Sequence, residues 1–462
     1  MMRFTFFLFI IMICLLGQGC SKLLNVDNPD NKITGVELFK DNEAAESAVL
    51  GIYSAASGTS SLLSGSITVY AGLYADELIY TSTQVSTTEF YHGPIAVNNT
   101  VLESNFWNNT YRFIYQVNAC LEGLHNSTSL SSGVKARLTG ECRFLRALFY
   151  FYMIQLFGDV PLVTVTNYNT NENMPRTSVA QVKDSILADL LNARELLSEE
   201  YPSNEKVRAN KWAAVALLAR YYLYEEKWTK AEAAATEIIT SNVYQLDEPN
   251  KVFLANSSEA ILQLRPVLAG YNTMEGNMFL PTSTSRPVYP LSGYLTASFE
   301  RNDKRRSAWV NSKVVSGVTY YYPYKYKQKV NFTSSFKLTE YSMMLRLAEI
   351  YLVRAECRVH LEQLSGAIAD IDVIRSRAGL PLVAVTAPDI SSALLNKKIQ
   401  QERRIEFFAE WGHRWFDLKR TGKAYETMIT IKPGWKETQH LWPIPYPQIS
   451  LNPYLTQNPG YF

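Results

Sequence analysis

Two stretches of this chain set alanines where two α-helices would cross. KWAAVALLARYYLYEEKWTKAEAAATEIITS, residues 211–241, carries Trp212, Leu217, Ala219 and Tyr222 on one helix. After a break near Glu226–Trp228, Ala231, Ala234, Ala235 and Ile238 mark a second. Alanine at a crossing lets two backbones approach closely, and larger neighbours fill the space that remains. YSMMLRLAEIYLVRAECRVHLEQLSGAIADIDVIRSRAGL, residues 341–380, repeats the arrangement. Leu345, Ala348, Tyr351 and Ala355 line its first helix, and Ala367, Ile371 and Ile374 its second. Such pairs need neighbours to cover their remaining apolar faces, so the chain is predicted to be mainly α.

Weaker helical periods at 135–157 and 179–197 extend the array, and 34–56 adds a helix striped by Phe39, Ala44, Ala48, Ile52 and Tyr53. Trp107 keeps register with Tyr111 and Tyr115 and reads as core. Periodicity fades over 57–100, which reads as a long polar loop, and over most of 246–340. Alternation near 313–330 reads as strands or a hairpin there. The expectation is one domain, 34–462, with a frame of tetratricopeptide-like helix pairs (34–56, 101–245, 341–422). That frame carries a loop-rich insert, 246–340, with minor β-structure.

The first residues, MMRFTFFLFIIMICLLGQGC, place one arginine before an apolar run that is too short to cross a hydrocarbon core of about 30 Å. They read as an export signal, residues 1–19, followed by a tether over 20–33. The end of that signal resembles a lipoprotein processing site, with Cys20 as the acylated residue and Gly17 where leucine is usual. Loss of the signal takes Arg3 with it and leaves a net charge near +1. No basic tract or zinc-ligand spacing points to nucleic acid. Cys120, Cys142 and Cys357 lie among apolar neighbours and read as buried thiols.

One stretch, ERRIEFFAEWGHRWFDLKRTG at 402–422, concentrates charge. Read as a helix over 399–411, it sets Glu402, Glu406 and Glu410 in an i,i+4 line, with Arg403 and Arg404 able to bridge exposed carboxylates for roughly 0.2–0.5 kcal/mol each. Arg414, Trp415, Phe416 and Asp417 open a second short helix. Acids crowded on one helix rarely flank a single glycosidic bond, so this segment reads as scaffold, with Arg346, Glu349, Arg403, Glu406, Glu410, Arg414, Trp415 and Asp417 in structural roles.

Several blocks then fall in a recognisable order: the Cys20 signal, LRALFYFYMIQLFGDVPLV at 145–163, RLAEIYLVRAE at 346–356, IRSRAGL at 374–380, the 402–422 stretch, and LWPIPYPQISLNPYLTQNPGY at 441–461. Together they resemble the SusD/RagB family of Bacteroidota outer-membrane lipoproteins. The resemblance implies a surface-exposed, lipid-anchored binder of glycans or other nutrients, four tetratricopeptide-like units, a SusC-like TonB-dependent transporter as partner, and no catalytic step. The family's ligand contacts lie in variable loops and cannot be carried over by motif.

The ligand residues are therefore chosen on chemistry. Sugars stack C–H faces on aromatic rings and pair hydroxyls with amides and charged groups. With 29 tyrosines against 21 phenylalanines, the chain is rich in rings that also hydrogen-bond. Off the helical frame, the candidates are Asp76, Tyr80 and Tyr91 in 70–93, then Tyr271, Asn277, Arg286, Tyr289, Tyr294, Trp309 and Tyr320 in 271–326. The five histidines are scattered, so no metal or other cofactor is expected. Three alternatives stay open: the same fold binding peptide or another non-sugar nutrient, a lipid-anchored glycosidase with acids in the insert, and a lid whose partner does the recognition.

Overall fold

The computed structural model describes residues 38–461. Cys20, the signal and the start of the helix expected at 34 lie outside them. The chain opens with α1 (Asn42–Ala56), capped by the Asp41 carboxylate, which accepts from Ala44 N at 2.9 Å. A single π-helical turn (Leu62–Ser66) leads into α2 (Ile67–Tyr74), and α3 (Val85–His92) follows. Next come α4 (Asn109–Asn126), α5 (Ser132–Phe157), α6 (Val179–Leu196), α7 (Lys211–Tyr224) and α8 (Trp228–Thr240).

The insert holds β1 (Ala260–Leu264), α9 (Lys304–Trp309) and the hairpin β2 (Val310–Val315) and β3 (Val318–Pro323). Beyond it lie β4 (Ser342–Arg346), α10 (Leu347–His360), α11 (Leu364–Ala378), α12 (Ser392–Glu406), α13 (His413–Arg420), α14 (Ala424–Ile431) and α15 (Tyr446–Leu451).

The helices stack in order: α4 on α5, α5 on α6, α6 on α7, α7 on α8, α8 on α10, α10 on α11. Ala213, Ala216, Ala219, Ala231 and Ala235 are buried at the α7–α8 crossing, and Ala348, Ala355 and Ala367 at the α10–α11 crossing. The tetratricopeptide-like pairing expected from these alanines is the architecture found. Between the pairs runs α5, whose residues from Phe144 to Ile154 are buried on every side. That explains why it shows little amphipathic stripe.

Two expectations are corrected. Residues 57–100 are not a loop: Ser61 to Leu78 are buried without interruption and include α2. Buried on all faces, and mixing Ser, Gly, Thr and Ala with Leu, Ile, Val and Tyr, this run has no polar side to reveal a helical period. Leu345, expected on the first helix of the second pair, lies instead on β4, which pairs antiparallel with β1, and every residue of both strands is buried. Alternation vanishes when both faces are covered. The expected hairpin is present, with Val315 opposite Val318 and Lys313 opposite Tyr320.

The 402–422 stretch differs most from its sequence reading. Helix α12 stops at Glu406, and the chain turns through Ala409, Trp411 and Gly412, all at positive φ. Glu402, Glu406 and Glu410 are buried at 2 %, 0 % and 4 % exposure, not set along a solvated face. Their partners come from far away in sequence. Glu402 takes Arg375 at 2.5 Å and Arg305 at 2.9 Å; Glu406 takes Arg346, Arg305 and Arg377; Glu410 takes Lys325 and Arg346. Arg403 turns to Asp417 at 2.9 Å, and Arg404 to Asp76. Local spacing could not show these contacts, because a buried ion needs a counter-ion from whichever element closes over it.

Candidate functional site

Residues 78–81 run antiparallel to 288–291. Ile79 N donates to the Pro290 carbonyl at 2.9 Å and Thr81 N to Val288 at 3.1 Å. Leu291 N then donates to Tyr321 O at 2.7 Å, tying this strap to the hairpin. Beside it opens a cleft of about 380 Å³, a volume ordinary for a small-ligand site. Tyr91 and Tyr294 stand at its sides, with Tyr294 53 % exposed. The segment 431–439 after α14 closes it, with Trp435 in the floor.

Trp435 packs edge-on against Tyr74 at 5.0 Å and lies against the Gly93 backbone, where a Cβ would come within 2.6 Å of the indole. Gly93 ends α3 at φ +111°, a conformation open to glycine. One residue thus ends the helix that carries Tyr91 and admits the ring that floors the cleft.

The charges around this floor are spent internally. Asp76 is 3 % exposed and accepts from Arg404 at 2.6 Å and from Arg414 at 2.7 and 3.0 Å. Burial pushes its carboxyl up, but the two guanidiniums outweigh burial and hold it below the ordinary carboxylate range. Lys432 donates to the carbonyls of Leu73 and Tyr74, both at 2.8 Å, and burial drives its ammonium well below the usual lysine value. Neighbouring Glu77 is buried, and burial, then the Asp76 charge, outweighs the more distant Arg414 and Lys325 and raises it to about 8. What faces the opening is two tyrosine rings, His92 and neutral polar groups.

The other candidates are dispersed. Tyr80 stacks on Tyr289 at 5.7 Å with planes 25° apart, and Tyr289 meets Phe279 edge-on, so this pair stiffens the strap. Tyr271 borders a separate small cavity with Glu275 and Ser342. Asn277 is half-buried, its carbonyl accepting from Lys329 at 2.7 Å; Arg286 is exposed on the loop before the strap; Tyr320 is half-buried on β3.

Two candidates need correction. Trp309 is fully buried, its indole N–H donating to Pro249 O at 2.6 Å beside Phe253 and Lys325, and has no free face for a sugar. Asp76 lines the cleft, but both its oxygens are committed to arginines. Sequence reading missed Trp435, Lys432 and Gln439. The only local signal was the Pro433–Gly434–Trp435 break in helical period.

The scaffold candidates all lie inside. Glu349 accepts from Arg220 at 2.6 and 2.7 Å; burial opposes its charge, yet the guanidinium holds it at about 2. Trp415 is buried edge-on to Tyr74 at 4.9 Å. Cys120, Cys142 and Cys357 are free and buried. Among the described residues no group of His, Cys, Asp and Glu is placed to hold a metal, and no helix is long and apolar enough to cross a membrane.

With this geometry in hand, the chain can be set beside known proteins. Residues 297–461 match the family model described as the SusD family, and residues 49–223 match one described as "Starch-binding associating with outer membrane". SusD-like protein P38 of Formosa agariphila is 25 % identical, with 98 % of each chain covered. A SusD superfamily protein from Bacteroides vulgatus superposes with a TM-score of 0.79 at 21 % identity, covering 92 % of this chain and 100 % of that one. A structure titled "Laminarin binding SusD-like protein" gives 0.78 at 23 %, covering 91 % and 100 %.

Proposed function

The chain belongs to the SusD/RagB family, and from that premise we propose that it captures oligosaccharide at the cell surface. It passes the sugar, chemically unchanged, to a SusC-like TonB-dependent transporter in the outer membrane. The observation that carries this reading is the cleft between Tyr91 and Tyr294, which offers rings and neutral polar groups over a floor where two arginines hold Asp76 and backbone carbonyls hold Lys432. Ring faces suit the C–H faces of sugars, and a cleft that need not be desolvated of free charge accepts a hydroxylated ligand without stranding an ion.

A matching family model described as starch-binding and a fold neighbour titled as laminarin-binding support the substrate class. Glycoside hydrolysis needs two carboxyl groups flanking the bond. Among the residues lining this cleft the one carboxylate is Asp76, and its two arginines leave it no proton to give. Anchoring through Cys20 and a tether over 20–33 belong to the same proposal, as does the division into frame and insert.

The test is calorimetric titration of the mature protein with panels of neutral oligosaccharides and of short peptides, followed by chromatography of the recovered ligand. Sugar binding with no new product is the expected result. Binding of peptides alone, or release of shorter sugars, overturns the proposal.

A further inference from the structure

A second groove, sharing no lining residue with the cleft above, lies between the loop after α5 and the C-terminal segment that carries α15. Its volume is about 590 Å³. Trp107 and Tyr111 form the inner wall, the Tyr111 hydroxyl fixed by donating to Pro161 O at 2.9 Å. Tyr168 and Leu451 also line it, and both stay in water, 72 % and 78 % exposed. Their apolar faces lie open beside a concave surface, where a ligand could cover them.

The polar part of the lining is amide. Asn108, Asn171, Asn173, Gln448 and Asn452 contribute to it, Glu172 is its single ionisable acid, and it contains no Lys, Arg or His. Some of these amides build the wall. Asn452 Nδ2 donates to Met174 O at 2.9 Å while its Oδ1 accepts from Tyr454 N at 2.9 Å, locking the C-terminal segment to the loop. Gln448 Nε2 donates to Asn108 Oδ1 at 3.1 Å, which leaves its own carbonyl oxygen unused. Among the described residues no protein group bonds the Asn173 side chain, which is exposed.

Part of the main chain in and beside the wall is already committed. Tyr446 N donates to Val97 O, Asn452 N to Gln448 O, and Glu172 N to Tyr168 O. An extended peptide recognised by strand addition needs an open strand edge, and none of the residues lining this groove lies in a β-strand. What remains free is the Asn173 amide, which both donates and accepts, and the Gln448 carbonyl oxygen, beside the exposed Tyr168 ring. That set matches hydroxyl groups, which also donate and accept, on a ligand with apolar faces and no charge.

We propose that this groove is a second carbohydrate subsite, taking an uncharged oligosaccharide, with Tyr168 as stacking platform and Asn173 and Gln448 as hydroxyl partners. It stands on observations separate from those of the first cleft.

Hydrogen-exchange mass spectrometry on the mature protein tests it, with maltoheptaose, laminarihexaose, xylohexaose and mannohexaose as probes and a neutral Gly/Ala/Ser heptapeptide as comparison. The Tyr294→Ala protein serves as background so that the first cleft is weakened. The proposal expects at least one sugar to slow exchange over 161–175 and 446–456, and Tyr168→Ala to weaken that effect about 10-fold in midpoint concentration. Asn173→Ala, at an exposed position, provides a second variant should Tyr168→Ala disturb the loop. Sugar protection confined to 75–94 and 431–439 overturns the subsite and leaves the first reading intact. Protection of the groove by the heptapeptide alone, or by no probe, also overturns it.

Discussion

Arg346 Nη1 lies 2.6 Å from a carboxylate oxygen of Glu406, and neither side chain is more than 2 % exposed. Arg346 precedes the first turn of α10, and Glu406 is the last residue of α12. Around them gather Glu259 beside β1, Lys325 and Arg305 from the insert, and Arg377 from α11. One buried ionic cluster therefore joins the helical frame to the region it carries.

Such a cluster adds little net stability over an apolar core, yet losing one member strands the others. Arg346→Met is expected to cost about 3–5 kcal/mol in urea unfolding, because Glu259, Glu406 and Glu410 lose a shared partner. The exposed pair Lys423–Glu426 is the control, and Lys423→Ala should leave the unfolding midpoint unchanged. Equal behaviour of the two variants would mean that the cluster is not what couples frame and insert.

The helix pairs were legible because alanine spacing is a local signal: Ala219 and Ala231 sit on opposite sides of one short break. The hairpin at 310–323 was legible for the same reason. The strand pair was not, because most of the insert separates β1 from β4 and both are buried on both faces. Of the candidate cleft, Asp76, Tyr91 and Tyr294 were readable from sequence, the two tyrosines as rings off the helical frame. Trp309 looked the same in sequence and proved to be core, since aromatic type does not reveal which way a loop closes. Trp435 and Lys432 enter the site from a segment over 300 residues from Tyr91, and no local pattern links them.

That contrast gives a second prediction. Tyr294→Ala should weaken oligosaccharide binding roughly 10-fold with an unchanged melting curve, because its ring is 53 % exposed. Trp309→Ala should instead destabilise the fold by about 3–5 kcal/mol through the cavity it leaves. Calorimetry and thermal melts on both variants separate the two roles. A Tyr294→Ala protein that binds as well as the parent would remove this ring from the site.

Glu77 supplies a pH dependence. Its carboxyl has an ordinary value of 4.5 in the unfolded chain and is raised to about 8 when folded, by burial and then by Asp76. Between those values the folded form keeps a proton that the unfolded form gives up. The folded state thus binds more protons, and stability falls as pH rises from 4.5 to 8, by at most about 1.4 kcal/mol per pH unit from this group. Glu77→Gln keeps the shape and removes the titration. Its stability relative to the parent should therefore increase between pH 5 and pH 8 in urea titrations, and a constant difference would show that Glu77 is ionised throughout.

The turn between α12 and α13 gives the last prediction. Gly412 has φ +72°, and a Cβ added there would stand 2.9 Å from the Ala71 Cβ, on the helix leading to Asp76. Gly422 has φ +68° with nothing within 4 Å of such a Cβ. Both substitutions to alanine incur the left-handed penalty of about 1–2 kcal/mol. Only Gly412→Ala also forces α2 and the turn apart, adding about 1–3 kcal/mol of overpacking. Because α2 leads straight into the strap and Asp76, that displacement reaches the floor of the cleft. Gly412→Ala should thus lose both stability and oligosaccharide affinity, while Gly422→Ala loses stability alone. Parallel unfolding and binding measurements decide it: equal affinities in the two variants would mean that the charged turn supports the fold without setting the cleft.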